Sequence, residues 1–186
     1  MTLMPIYVAP HPMLKTKGTV VDAIDDKTRR LMDNMLETMY ANDGIGLAAP
    51  QVGVSTRIIV MDLDQKPDVE GLEKKGDPRF FVNPEIIWSS EEMRSYNEGC
   101  LSIPGQYADV ERPDRVRVKY LDYNGKVQEE EAVGLFSTCI QHEIDHVDGI
   151  LFIDHLTTLK RDMLLRKLKK FTRDNAEEMA QSHVIL

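Results

Sequence analysis

Five consecutive residues, His142-Glu143-Ile144-Asp145-His146, constrain this chain more than any other feature. They lie in a helix-compatible stretch, Phe136 to Val147, that is apolar on several sides. Such a helix belongs in the middle of a fold, packed against sheets, and it carries two imidazoles and a carboxylate inward with it. Residues four apart share a helix face, so both histidines can reach one metal ion. Glu143 beside them can accept a proton from a water that the metal activates, so the pattern reads as metal-assisted hydrolysis. The competing reading is a chance pentapeptide on an exposed helix, and the apolar surroundings argue against it.

The remaining chain supplies what such a helix packs against. With 186 residues it can bury roughly 70 % of its unfolded surface around one core. A helical period runs from about Ile24 to Tyr40, with Ile24, Leu31, Met35 and Met39 within about 80° of one another, and stops at Asn42-Asp43-Gly44. Strand-like stretches follow at Arg57 to Asp62, Phe80 to Trp88 and Arg115 to Tyr123. Asn124-Gly125 then signals a hairpin into Val127 to Val133. Asp64 to Pro78 has no apolar period and reads as a surface loop or insertion whose deletion should cost little. An amphipathic helix from about Thr158 past Phe171 precedes a charged tail, 174–186. The expected fold is one α+β domain over residues 1–186, with mostly antiparallel short sheets around the central helix and an amphipathic helix near the C-terminus.

Charge and hydropathy narrow the partners. No apolar run approaches the roughly 20 residues that span a bilayer, and the first residues lack a signal-peptide pattern, so a cytoplasmic protein without a membrane partner is expected. A net charge of −8 repels a phosphate backbone, which makes DNA a poor expectation. The two cysteines, Cys100 and Cys139, form no C-x-x-C pair, and in a reducing compartment each is buried, catalytic or metal-bound.

Two histidines leave a catalytic metal one protein ligand short. The extended protease pattern H-E-x-x-H-x-x-G-x-x-H matches through Gly149 and fails at Phe152. A downstream glutamate, Glu177 or Glu178, is available only beyond another helix. Cys139 shares the face of His142, but a metal centred between the histidines would lie about 7.5 Å further along the axis, so a buried apolar role suits it better. Cys100 comes from a separate segment and meets no such objection.

That segment, Glu98-Gly99-Cys100-Leu101-Ser102, joins two others: Gln141 with the H-E-x-x-H stretch, and Gly44-Ile45-Gly46-Leu47-Ala48-Ala49-Pro50-Gln51. The glycines of the last also fit a dinucleotide-binding turn, but a helix precedes them and Pro50 falls where a helix would have to grow. Together and in this order the three motifs resemble those of bacterial-type peptide deformylases, from about Pro10 to Lys170. The resemblance implies hydrolysis of the N-formyl group from the initiator methionine of nascent peptides, with release of formate. It implies Cys100, His142 and His146 as metal ligands, with Fe²⁺ as the usual ion and Zn²⁺, Ni²⁺ or Co²⁺ as substitutes. It implies Glu143 as the proton carrier, with the Gln51 amide and the Leu101 backbone N–H as oxyanion donors. Leu135, Thr138 and Cys139, on the helix before His142, are the expected methionine pocket, and the resemblance adds Ile45, Gly46 and Glu98 as substrate contacts. Tyr107 stands where some members have arginine, and Asp64 to Pro78 is longer than usual. Finally, Lys160 to Arg173 holds seven basic residues against one acidic residue. Arg166, Lys169, Lys170 and Arg173 share a face of about 100° on this helix. They read either as a solvated face or, as in some bacterial members, as a contact to ribosomal RNA.

Overall fold

Val116, Val118 and Tyr120 point inward from the strand Arg115–Leu121 while Arg115, Arg117 and Lys119 point out, the alternation of a sheet with one wet face. A computed structural model describes residues 2–64, 76–176, 179 and 184–185. In it β1 is Ile6–Tyr7, α1 Asp26–Ala41, β2 Gly46–Ala48, β3 Ile58–Met61 and β4 Arg79–Ser89. Next come β5 Met93–Cys100, β6 Ile103–Pro113, β7 Arg115–Leu121, β8 Val127–Val133, α2 Leu135–Val147, α3 Thr158–Asp174 and β9 Val184–Ile185. The fold is α+β. Five strands form an antiparallel sheet in the order β2-β3-β4-β7-β8, and β5 and β6 form a separate antiparallel hairpin.

β3 explains how the layers stack. All four of its residues are buried, because Ile58 and Val60 face α1 through Met32, Met35 and Met39, while Ile59 and Met61 face α2 through Ile140, Ile144 and Val147. Helix α1 starts where the Asp25 carboxylate accepts the Thr28 N–H, two residues into the expected period; Ile24 packs from just outside it. Helix α2 is buried along nearly its whole length, against the large sheet on one side and β6 on another. A third cluster, with Ile103, Val110, Phe152, Leu164 and Leu168, fastens the hairpin to α3.

The hairpin β5–β6 and the short β2 are the elements that periodicity misses. Most of β5 is exposed and polar, so no apolar alternation marks it. Its inward positions carry Glu98 and Cys100 rather than aliphatic side chains. Within the segment 174–186, expected as a charged tail, Met179 is buried in the third cluster, and β9 pairs in parallel with β1. Residues 65–75 of the expected insertion lie outside the described residues, as do Glu177 and Glu178. The two ends of that segment meet at Asp62, whose carboxylate accepts the N–H groups of Asp64 and Asp77.

Ile59 and Leu159 test this layering. Ile59→Ala, at a fully buried site, is expected to cost about 2–5 kcal/mol in denaturant unfolding, against about 0.5 kcal/mol or less for Leu159→Ala, whose side chain is 81 % exposed.

Candidate metal and catalytic centre

One helical turn separates His142 from His146 on α2, and the end of β5 brings Cys100 up to them. One ligand atom from each of the three lies within 4.8 Å of the others, the only group of three or more candidate ligands among the described residues. Cys100 Sγ is 3.2 Å from His146 Nε2. His142 Nδ1 is 2.8 Å from Glu98 Oε2; since a carboxylate accepts, Nδ1 carries the proton and Nε2 keeps its lone pair for the cluster. Cys139 lies outside the group. Burial, together with the nearby Glu143 and Glu98, pushes its thiol well up, as suits an uncharged cleft wall.

The donor set fits a cation. A thiolate with two imidazoles is a ligand set for zinc or iron. Burial alone would lower His142, but hydrogen bonds to Cys100 and Glu98 outweigh it and raise its pKa well above the ordinary value. Burial and the neighbouring His142 hold His146 far below its ordinary value, neutral as a ligand must be. Glu143 Oε2 is buried without a partner among the described residues, and desolvation pushes its carboxyl up to about 7, in the range where a proton carrier works at neutral pH.

The surroundings hold this cluster still. The Gln51 amide accepts the Ala48 N–H through Oε1 at 2.8 Å, and its Nε2 reaches Ser102 Oγ at 3.2 Å and Cys100 Sγ at 3.5 Å. Ser102 N–H adds a 3.4 Å contact to the same sulfur. At Gly46 a Cβ would stand 2.5 Å from Glu143 Oε1, so only glycine lets β2 pass so close to the carboxylate. Phe152, which fills the place of a third histidine in the protease pattern, stacks on His142 at 6.0 Å between ring centroids.

Sequence reasoning missed Arg112. Its buried guanidinium donates to both Glu98 oxygens, at 2.6 and 3.1 Å, and to Asp145 at 2.8 Å. Asp145 in turn meets His155 at 2.7 Å. Burial opposes ionisation of Glu98, yet His142 and Arg112 hold its pKa below the ordinary value. No local signal marks Arg112, because its partners are 14 and 33 residues away in the chain.

All the residues expected at the substrate are near this centre. Ile45, Gly46, Gln51, Glu98, Leu101, Leu135, Thr138 and Cys139 line one cleft of about 670 Å³ together with Cys100, His142 and Glu143. Three soft donors that could hold a metal ion, beside a buried carboxylate in a cleft of an α+β fold, are the arrangement of a metal-dependent hydrolase.

The comparisons narrow that class. The family model for polypeptide deformylase matches residues 3–162. The peptide deformylase of Phenylobacterium zucineum is 55 % identical over 173 residues, 93 % of this chain and 99 % of the relative. That of Zymomonas mobilis is 55 % identical over 170 residues, 91 % of this chain and 95 % of the relative. The crystal structure of the Ehrlichia chaffeensis peptide deformylase superposes with a TM-score of 0.86 at 41 % identity, covering 94 % of this chain and 99 % of that one. The chain belongs to the peptide deformylase family, metal-dependent enzymes that remove the N-formyl group from nascent peptides.

Arg112→Met leaves the Glu98 carboxylate buried without its cation and is expected to destabilise the fold by about 3–5 kcal/mol in urea titrations. Arg112→Lys, which keeps the charge and loses the two-pronged contact, should fall between that variant and the unmodified chain.

Proposed function

We propose that Cys100, His142 and His146 hold a catalytic Fe²⁺ and that Glu143 carries protons between water and the leaving amine, in a deformylase acting on nascent formyl-methionine chains in the cytoplasm. The observation that carries this reading is the convergence of three ligand atoms within 4.8 Å beside a buried, unpartnered carboxylate oxygen. When bound, the ion supplies a Lewis acid that activates water and polarises the formyl carbonyl.

The chain's own residues do the rest. The first residues of the substrate lie along the exposed edge of β2 at Ile45 and Gly46, as an added strand. The methionine side chain enters between Leu135, Thr138 and Cys139. Gln51 Nε2 and the Leu101 N–H donate to the formyl oxygen as it gains negative charge, and the Ala48 and Ser102 contacts keep the Gln51 amide aimed before substrate arrives. Glu143 accepts the water proton and delivers it to the amine nitrogen as the C–N bond breaks, leaving formate and a free amino terminus. Glu98, fixed by Arg112, orients His142.

Iron is the reading the family favours; the ligand set suits zinc equally well. Chain purified without oxygen should contain iron by elemental analysis and lose activity in air, whereas a zinc form should survive; zinc at full occupancy in anaerobic preparations would overturn the assignment. Cys100→Ala should lose the metal. Glu143→Ala should keep it and lose several orders of magnitude in formate release from formyl-Met-Ala-Ser; near-normal turnover removes Glu143 from this role.

We also read the cationic row on α3 as a contact to ribosomal RNA. Arg166, Lys169, Lys170 and Arg173 are exposed, while Leu164 and Leu168 of the same helix are buried. Reversal of all four to glutamate should abolish co-sedimentation with ribosomes at low salt and spare hydrolysis of a free formyl peptide; unchanged sedimentation returns the row to a merely solvated face.

A further inference from the structure

The polar chain around Arg112 runs on to the surface. Asp145 Oδ2 accepts from Arg112 Nη1 at 2.8 Å and lies 2.7 Å from Nε2 of His155. A carboxylate accepts, so Nε2 of His155 carries the proton of that contact. His155 ends the short helical turn Phe152–His155, and its side chain is 37 % exposed, against 6 % for Arg112 and 3 % for Glu98. His155, Asp145, Arg112, Glu98 and His142 thus stand in one unbroken line from solvent to the metal-competent cluster. Donors alternate with acceptors along it: the two histidines and the arginine donate, and both carboxylates accept.

Two shared oxygens give the outer end of this line leverage on the inner one. Glu98 Oε2 takes both Arg112 Nη2, at 3.1 Å, and His142 Nδ1, at 2.8 Å, so a shift of the guanidinium moves the acceptor that orients the His142 ring. Asp145 Oδ2 is divided in the same way between Arg112 and His155. Without the His155 donor, the Asp145 carboxylate turns toward the guanidinium and draws it from Glu98. The turn that carries His155 has other anchors. Phe152 and Ile153 are buried in the third cluster, and Asp154 accepts the Leu151 N–H at 2.8 Å and pairs with Lys15. What His155 adds is its hydrogen bond to Asp145.

We propose that His155 is a positioning residue of the metal centre: it fixes Asp145 from the surface, which keeps Arg112 on Glu98 and the His142 ring in register for the ion. This inference rests on the reading of Cys100, His142 and His146 as the ligands. A partner that directly orients a metal-binding histidine is worth 10- to 100-fold in metal affinity, and His155 acts three contacts further out, so the low end of that range applies.

The test loads the full chain with Co²⁺ under anaerobic conditions, since the visible absorption of this ion follows its ligand geometry. His155→Leu removes the donor, and His155→Gln keeps an N–H at the same reach. His155→Leu is expected to lose Co²⁺ to excess chelator about tenfold faster than the unmodified chain and to show altered visible bands, while His155→Gln stays within about twofold of it with bands unchanged. Thermal midpoints of the metal-free chains separate this from a packing role. A His155→Leu variant with a lowered midpoint but unaltered metal loss and bands overturns the proposal. So do equal losses in the two variants, or no change in either. An unmodified chain that takes up no Co²⁺ overturns the ligand assignment instead, so the two failures are distinguishable.

Discussion

A guanidinium almost sealed from water holds the two halves of this centre together. Arg112 leaves β6, grips both oxygens of Glu98 on β5, and reaches across to Asp145 on α2. Its cost of burial is met only because two carboxylates converge on it, and each carboxylate is tolerated inside for the same reason. The consequence is positional. Cys100 is two residues beyond Glu98 on the hairpin, and His146 follows Asp145 directly on the helix. The clasp therefore fixes the relative placement of the segments that carry the Cys100 sulfur and the imidazoles. Gln141, donating to the Pro113 carbonyl at 2.9 Å, and Ser137, whose hydroxyl donates to the same oxygen at 3.1 Å, fasten the start of α2 to the end of β6 in the same way.

Much of this was legible from sequence where periodicity or spacing speaks. The helical repeat of Met35 and Met39 places α1, Asn124-Gly125 places the β7–β8 turn, and the H-E-x-x-H spacing places two imidazoles on one face of α2. The strand β5 was not legible, because most of it is exposed without apolar alternation and its inward Glu98 and Cys100 serve the centre, while Ile103 and Val110 of β6 join the core. Arg112 was illegible for a different reason. A buried cation is predicted only by the carboxylates that surround it, and these come from distant parts of the chain.

The two cysteines show how geometry sorts like from like. Cys139 sits on the same helix as the histidines and is the nearer in sequence, yet a short side chain three residues before His142 projects into the cleft wall and not onto the line between the imidazoles. Burial then keeps its thiol protonated. Cys100 approaches from outside the helix, and both Gln51 Nε2 and the Ser102 N–H point at its sulfur. Phe152 completes the contrast with the extended protease pattern, for its ring packs near that of His142, 6.0 Å between centroids, where that pattern would have a third imidazole.

Helix α3 faces three environments at once, and this links the chemistry to the surface. Leu164 and Leu168 anchor it beside Ile103 and Val110 of the hairpin. Phe171, a turn further on, reaches the cleft, and the basic side chains face solvent. Because the hairpin that α3 grips is also the hairpin that carries Cys100, the cationic face and the metal-competent cluster are parts of one packed unit. In an acidic chain, seven basic residues gathered on one helix are a departure that packing alone does not require, since Leu164 and Leu168 would hold the helix with any polar outer face. An anionic surface docked on that face would therefore stand at a fixed distance from the Cys100 end of the hairpin.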